Sequence, residues 1–408
     1  MPSFRTDRLW AIFVAALISR IMKKIFVFLC VHLCLIFLCL AINAQEFKTV
    51  QDGIEYAEMT REIDKVPVKM NLLRLDLTKV RLDVVHAMDA AIGVEKTSSI
   101  ATRHGAFAAI NAGFFRLDTS IFAGDAAGVL QIDGKLLSET YNNRVALFIS
   151  NQNNSTQVEI GHLNLSDKIR IKGYDWEISG INRERKENEI IIFTPEFGRT
   201  TLTNSDGAEF VVQKNRISQI IKSNGSNLIP AVGYVISANG KQGQELLKKA
   251  KIGAKVERFT FESNSMKVSS STSNIVNNDL PKTNFFKTED ITNGVPQLIK
   301  DGKIEITWEQ EKASKSFYET RHPRTAVAKL KDGKFLMITV DGRSEASGGI
   351  GLEDLAKLLL ELGATDAMNL DGGGSTTMFL DGKVVNKPSD KEGERRVSDA
   401  ILVFPRKK

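Results

Sequence analysis

The chain has 408 residues, 42% of them hydrophobic and 25% charged, which is enough apolar mass for a large core and too much for a disordered or low-complexity polymer. A formal net charge of +6 is too dilute over this length to argue for a polyanionic partner. All three cysteines, Cys30, Cys34 and Cys39, fall in one apolar stretch. The rest of the chain therefore has no disulfide framework, thiolate zinc site or cysteine nucleophile.

That apolar stretch has the pattern of a secretion signal starting at Met22. Lys23 and Lys24 form the basic head, residues 25–42 are nearly unbroken hydrocarbon, and Ala44 offers a cleavage point. An uncleaved anchor is the alternative, because the apolar run reaches the lower limit for a membrane span. Residues 1–44 carry five basic residues and one acid, so their removal lowers the net charge to +2. The expected layout is a leader over 1–44, a strand-rich lead-in over 45–106 and a main domain over 107–405. The product would be exported, periplasmic or extracellular.

After the leader, short alternating or continuous apolar runs predict strands over 68–76, 80–86, 145–150, 189–194, 335–340 and 400–404. Asp-Gly-Lys at Asp133, Asp301, Asp332 and Asp381, and Asn239-Gly240-Lys241, read as tight turns, since Asp-Gly and Asn-Gly supply the positive φ angles of hairpins. A helix is expected from Thr97 to His104, ended by Gly105. A stronger one is expected from Leu352 to Leu362, where Leu352, Leu355, Ala356, Leu359 and Leu362 share a face and Glu353 and Asp354 complement the positive end. The Ser- and Asn-rich run 263–283 reads as a mobile surface loop. The fold class expected is α+β: one strand-rich catalytic domain with mixed sheets and a few packed helices.

Chemistry-bearing residues cluster beyond that loop. A strand over 364–371 would project Asn369 and Asp371 from one face. Gly372-Gly373-Gly374-Ser375 then permits a sharp bend whose peptide N–H groups could hold an anion. It is not a Walker loop, because the lysine and the strand-to-helix context are missing. In Arg321-His322-Pro323-Arg324 a proline stiffens the chain between two guanidinium groups suited to a phosphate or carboxylate. Asp341-Gly342-Arg343 ends the 335–340 run, and Arg395-Arg396 precedes Ser398-Asp399 near the C-terminus. Asn111 and Gly113 end an apolar strand near the front. His86, His104 and His162 read as surface or satisfied histidines, whereas His322 has basic neighbours. Together these groups point to an anionic, phosphorylated substrate.

Several of these segments resemble, in order and spacing from about residue 107 to 404, the phosphodiester glycosidase family. They are Asn111-Ala112-Gly113-Phe114-Phe115, Gly294-Val295-Pro296-Gln297-Leu298-Ile299, the 321–328 run, Val340-Asp341-Gly342-Arg343, Asn369-Leu370-Asp371-Gly372-Gly373-Gly374-Ser375 and Arg396-Val397-Ser398-Asp399-Ala400. The Asn-Leu-Asp-Gly-Gly-Gly-Ser run is the most specific; at Gly294-Val295-Pro296 a valine stands where a second glycine is common. The resemblance implies cleavage of the anomeric C–O bond of a sugar-1-phosphodiester, releasing a free sugar and a phosphomonoester. A phosphate is already a good leaving group, so arginines that stabilise the departing charge matter more than strong acid catalysis. Arg324, Arg343 and Arg396, with the N–H groups of Gly372, Gly373, Gly374 and Ser375, are expected on the phosphate. Asp371 or Asp341 would serve as base or nucleophile, His322 would assist proton transfer, and Asn111, Gly113 and Asn369 would line the sugar.

No cofactor is expected, a divalent cation being the open alternative. The partner expected is a small glycosyl phosphodiester or a phosphodiester-linked glycan, with no nucleic acid, and a membrane only if the leader is uncleaved. Two rival readings are a metal phosphodiesterase that cleaves P–O through Asp341, Asp371 and His322, and a non-catalytic envelope glycan-binding protein.

Overall fold

Alternation along the strands decides which faces meet. Over Val80–His86 every second side chain is buried, and over Ser155–His162 Thr156, Val158 and Ile160 turn inward while Gln157 and Glu159 face solvent. The computed structural model describes residues 22, 47–152, 154–262 and 288–406. The leader, its cleavage point, the three cysteines and the 263–283 run lie outside the described residues. Residues 48–408 form one unit and 1–47 another.

An eight-stranded sheet runs in the order Lys48–Gln51, Ile54–Ile63, Val66–Leu75, Phe335–Val340, Arg324–Leu330, Ala364–Asn369, Gln297–Lys300 and Lys303–Ile304. A second sheet orders Lys383–Val384, Met378–Leu380, Ala108–Asn111, Asp399–Pro405 and Val80–His86. The lead-in is thus woven into both: Val66–Leu75 pairs with Phe335–Val340, and Val80–His86 with Asp399–Pro405. Between the two sheets lies the main core. Leu73, Val327, Met337 and Met368 from the first meet Leu82, Ile110, Met378, Ile401 and Val403 from the second, together with Leu147 and Ile149 of a third sheet. Residues 165–262 hold a further core built on Ile190, Ile192, Phe210, Ile236 and Leu246.

The expected helix Thr97–His104 forms as read, with Gly105 in the left-handed conformation at its end. Its Ile100 and Ala101 pack on Ala109, Phe379 and Leu402, the outer face of the second sheet. Helix Leu352–Glu361 buries Leu352, Leu355, Ala356, Leu358 and Leu359 and rests on the strands Ala364–Asn369 and Gln297–Lys300. Burying each of these leucines contributes about 2 kcal/mol.

Three expectations change. Strand pairing is antiparallel throughout the described residues except between Gly180–Ile181 and Ile190–Phe193, so the architecture is mostly β rather than a set of mixed sheets. Asn239-Gly240-Lys241 does not turn a hairpin. Asn239 caps the helix Gly240–Lys249 instead, whose Leu246 is buried; the Gln, Glu and Lys residues that follow favour a helix once an apolar seat is available. A short helix, Lys315–Glu319, capped by Ser314, also went unread. The four Asp-Gly-Lys turns form as expected, with positive φ at both Asp133 and Gly134, Asp301 and Gly302, Asp381 and Gly382, and at Gly333 alone in the fourth.

Candidate active site

Antiparallel pairing brings the separate sequence motifs to one end of the sandwich. Arg324 lies opposite Val340, and Ala326 lies opposite Asn369, so the start of Arg324–Leu330 meets the ends of Phe335–Val340 and Ala364–Asn369. In the second sheet Met378 faces Ile110 and Ala400 faces Asn111, which gathers three more strand ends at the same place. Backbone bonds stitch the layers together: Leu370 N–H donates to Thr325 O at 2.8 Å, and Asp371 N–H to Ala112 O at 3.0 Å.

Asp371 lies two residues beyond its strand and is half-buried. Burial pushes its pKa up to about 6, the charge of Asp399 adds to the rise, and the Ser375 side chain, the Gly372 N–H and Arg395 oppose it. Its carboxyl is thus poised for proton transfer near neutral pH. Asp399, almost fully buried, accepts from Gly113 N–H at 3.0 Å, Ser398 Oγ at 2.7 Å and Thr292 Oγ1 at 2.7 Å. Asn293 clasps the neighbouring Phe114, accepting its N–H at 3.3 Å and donating to its carbonyl at 3.4 Å.

The glycine run has steric causes. A Cβ at Gly372 would stand 2.8 Å from Pro323 O, one at Gly373 3.0 Å from Arg343 Nη2, and one at Gly374 would overlap both Arg395 and Asp390. Gly373 also has φ +61°. Its neighbours are thus two arginines and a fixed carboxylate. Arg395 holds Asp390 at 2.7 and 3.1 Å, and Arg343 reaches Ser389 at 3.3 Å and Asp390 at 3.8 Å.

Several expected contacts are corrected by this geometry. The glycine loop is not an open nest, because Gly372 N–H donates to Asp371 Oδ1, Gly373 N–H to Pro323 O and Ser375 N–H to Gly372 O. Asn111 does not face a sugar. It is fully buried, its Nδ2 donating to Asp371 O and its Oδ1 accepting from Thr325 Oγ1 and Thr377 N–H. Asn369 is likewise buried and donates to Val295 O and Leu370 O, and the Gly113 N–H is spent on Asp399. Arg324 is 1% exposed and gives its donors to Phe317 O, Thr320 O and Ile350 O, so its guanidinium braces the 317–324 turn and is not presented to a ligand. Arg396 is exposed on a two-residue strand paired with Lys96; the arginine that acts on Asp371 is its neighbour Arg395.

Asp341 is 3% exposed, with Oδ1 accepting from Asn386 Nδ2 and Lys387 N–H and Oδ2 buried without a partner. Burial raises its pKa. Burial, then Arg324 and Arg343, lower the pKa of His322, so its imidazole is neutral at neutral pH. His86 bonds Ala87 O and Gly124 O, and His104 meets Asp89 at 2.9 Å. Among the described residues no group of three or more His, Cys, Asp or Glu is arranged to hold a metal ion, and no helix is long and apolar enough to cross a membrane. Reading the sequence missed Asp390, Asn293 and the buried role of Asp399, and it noted Arg395 but gave the phosphate to Arg396. No local signal marks them, since Asp399 meets Gly113 across 286 positions.

Two mostly antiparallel sheets thus gather carboxylates and arginines at one end of a β scaffold. The family model described as phosphodiester glycosidase matches residues 206–404, just under half of the chain, and this segment resembles that family. Over 110 residues the chain is 38% identical to the SPbeta prophage-derived uncharacterized protein YomE of Bacillus subtilis, spanning 26% of this chain and 16% of that protein. Over 128 residues it is 34% identical to the N-acetylglucosamine-1-phosphodiester alpha-N-acetylglucosaminidase of Bos taurus, spanning 28% of this chain and 24% of that one. The alignment thus spans a quarter or less of either relative. A crystal structure of a hypothetical protein from Synechocystis shares the fold, with TM-score 0.73 and 24% identity over 89% of this chain and 64% of that one. The family match begins later than the expected residue 107 and leaves Asn111 and Gly113 outside it.

Proposed function

We propose that this chain is an exported hydrolase that cleaves the anomeric C–O bond of a sugar-1-phosphodiester. The observation that carries the reading is Asp371: a carboxyl with its pKa near 6, beside Arg395 and a glycine loop packed on Arg343, within the segment that matches the family. In this mechanism Asp371 takes a proton from the attacking water, whose oxygen bonds to the anomeric carbon. The C–O electron pair leaves with the phosphate, and the guanidinium groups of Arg343 and Arg395 stabilise its charge. Asp371 is preferred to Asp341 because Asp341 is almost fully buried and pinned by Asn386 and Lys387. Neutral His322 is suited to accepting a proton at the edge of this site.

Incubating the purified chain with a panel of sugar-1-phosphodiesters in heavy-oxygen water tests the reading. Label in the released sugar supports C–O cleavage; label in the phosphate transfers the site to the P–O mechanism of a metal phosphodiesterase. Turnover that persists with chelator is expected. No turnover on any member of the panel would leave a glycan-binding role.

A further inference from the structure

Other arginines around the site each meet a carboxylate or several carbonyls. Arg395 and Arg343 meet Asp390, Arg321 meets Asp64, Gly349 O and Ile63 O, and Arg324 meets three carbonyls. Arg144 differs. It precedes the strand Val145–Gln152 and is half-buried, with its guanidinium over the Tyr141 ring at 5.0 Å and the Phe114 ring at 5.7 Å. Nη1 donates to Ala127 O at 2.7 Å, while Nε is buried with no hydrogen-bond partner. No carboxylate among the described residues lies within ion-pair distance of it. Glu311 acts on it only through its charge, because both Glu311 oxygens are taken by Val145 N–H, Gln297 N–H and Thr307 Oγ1.

The surroundings of Arg144 lead directly to the site. Phe114 follows Gly113, whose N–H is held by Asp399, and the Phe114 ring meets Phe317 edge-on at 6.0 Å. Val145 O accepts from Gly294 N–H, and the next residue, Val295, donates its N–H to Asn369 O. A half-buried guanidinium with its Nε donor unfilled and no carboxylate bonded to it is costly unless an anion completes it. Two aromatic rings within cation–π distance restrict the guanidinium, and a planar guanidinium is suited to bidentate contact with an oxyanion.

We propose that Arg144, packed against the Phe114 and Tyr141 rings, is an anion-receiving residue that selects a phosphate-bearing substrate at the rim of this site. The identity of the substrate rests on the sugar-phosphodiester reading, whereas the binding of an oxyanion does not. Inorganic phosphate is therefore the probe. The full chain is titrated by calorimetry and followed by thermal unfolding, alongside R144M and R144K, whose folding is checked by urea unfolding.

The expected result is that phosphate binds the unaltered chain and raises its Tm. R144M should bind at least tenfold more weakly, and R144K, which keeps the charge and loses the planar fork, should fall between them. On a turned-over sugar phosphodiester, R144M should raise KM far more than it lowers kcat. Equal phosphate affinity in folded R144M and the unaltered chain, or no binding to either, would overturn the proposal. Phosphate binding that depends on Arg144 in a chain that hydrolyses no sugar phosphodiester would uphold the proposal and defeat the functional reading. Hydrolysis with KM unchanged in R144M would do the reverse.

Discussion

Asn111 Nδ2 donates to the backbone carbonyl of Asp371 at 2.7 Å, so the last residue of a strand in one sheet fixes the carboxylate-bearing residue at the end of a strand in the other. Thr325 Oγ1 and Thr377 N–H occupy Asn111 Oδ1 and leave it no freedom to rotate. An N111A substitution should remove this clasp and leave buried polar groups unpaired. The expected cost is about 3 kcal/mol, read as a lower urea midpoint, with turnover falling at least tenfold.

Asp371→Asn should lower kcat/KM by about two to four orders of magnitude, the usual worth of a general base. Its effect on stability has the opposite sign. The folded-state pKa of about 6 lies above the ordinary carboxylate value of 3.8, so the folded protein binds this proton more tightly than the unfolded chain. Stability from this group is full below about pH 4 and is lost as pH rises through about 6. Relative to the unaltered chain, D371N should be more stable by about 3 kcal/mol at pH 8 and nearly equal to it at pH 3.5, as urea unfolding at the two pH values would show.

Asp399 supplies the negative charge that helps to hold the Asp371 pKa up. D399N keeps the shape that serves Gly113, Ser398 and Thr292 and removes the charge. The acid limb of the kcat/KM profile, centred near pH 6 in the unaltered chain, should then move to lower pH. An unmoved limb would show that the two carboxyls do not interact.

Gly113 is not at a positive φ, so its requirement is purely one of space. A Cβ there would stand 2.7 Å from Asn293 Nδ2, 2.9 Å from Thr292 Oγ1 and 3.2 Å from Asp399 Oδ2. G113A should push these three side chains apart, cost about 2 kcal/mol and lower kcat with little change in KM. Thermal unfolding and steady-state kinetics together check this.

Glu311 is fully buried and accepts from Val145 N–H at 3.1 Å, Gln297 N–H at 2.9 Å and Thr307 Oγ1 at 2.5 Å. E311A strands two backbone donors and should destabilise the fold by about 3 kcal/mol. E311Q keeps one carbonyl oxygen in place and should cost less. A comparison of urea midpoints separates the two.

Several elements with a local physical cause were legible in the sequence alone, although the helices Gly240–Lys249 and Lys315–Glu319 were not. Alternating apolar positions marked Phe335–Val340 and Val80–His86 as strands, Asp-Gly pairs at 133–134, 301–302 and 381–382 gave the positive φ angles of their turns, and the leucine spacing of 352–362 gave a one-sided helix. The Asn-Leu-Asp-Gly-Gly-Gly-Ser run also carried the family resemblance, because glycines packed against Pro323, Arg343 and Arg395 tolerate no side chain. Only the tertiary structure decided which polar groups are spent and which are available. Arg324 and Asn111 have the composition of ligand-binding residues, yet burial gives their hydrogen bonds to backbone groups. Arg395 and Arg396 are alike in the local pattern, yet only the first acts on Asp371, and Arg144, which no motif marks, is left with its Nε unpaired. Hydrogen-bond satisfaction is a property of spatial neighbours, and those neighbours lie up to several hundred positions apart along the chain.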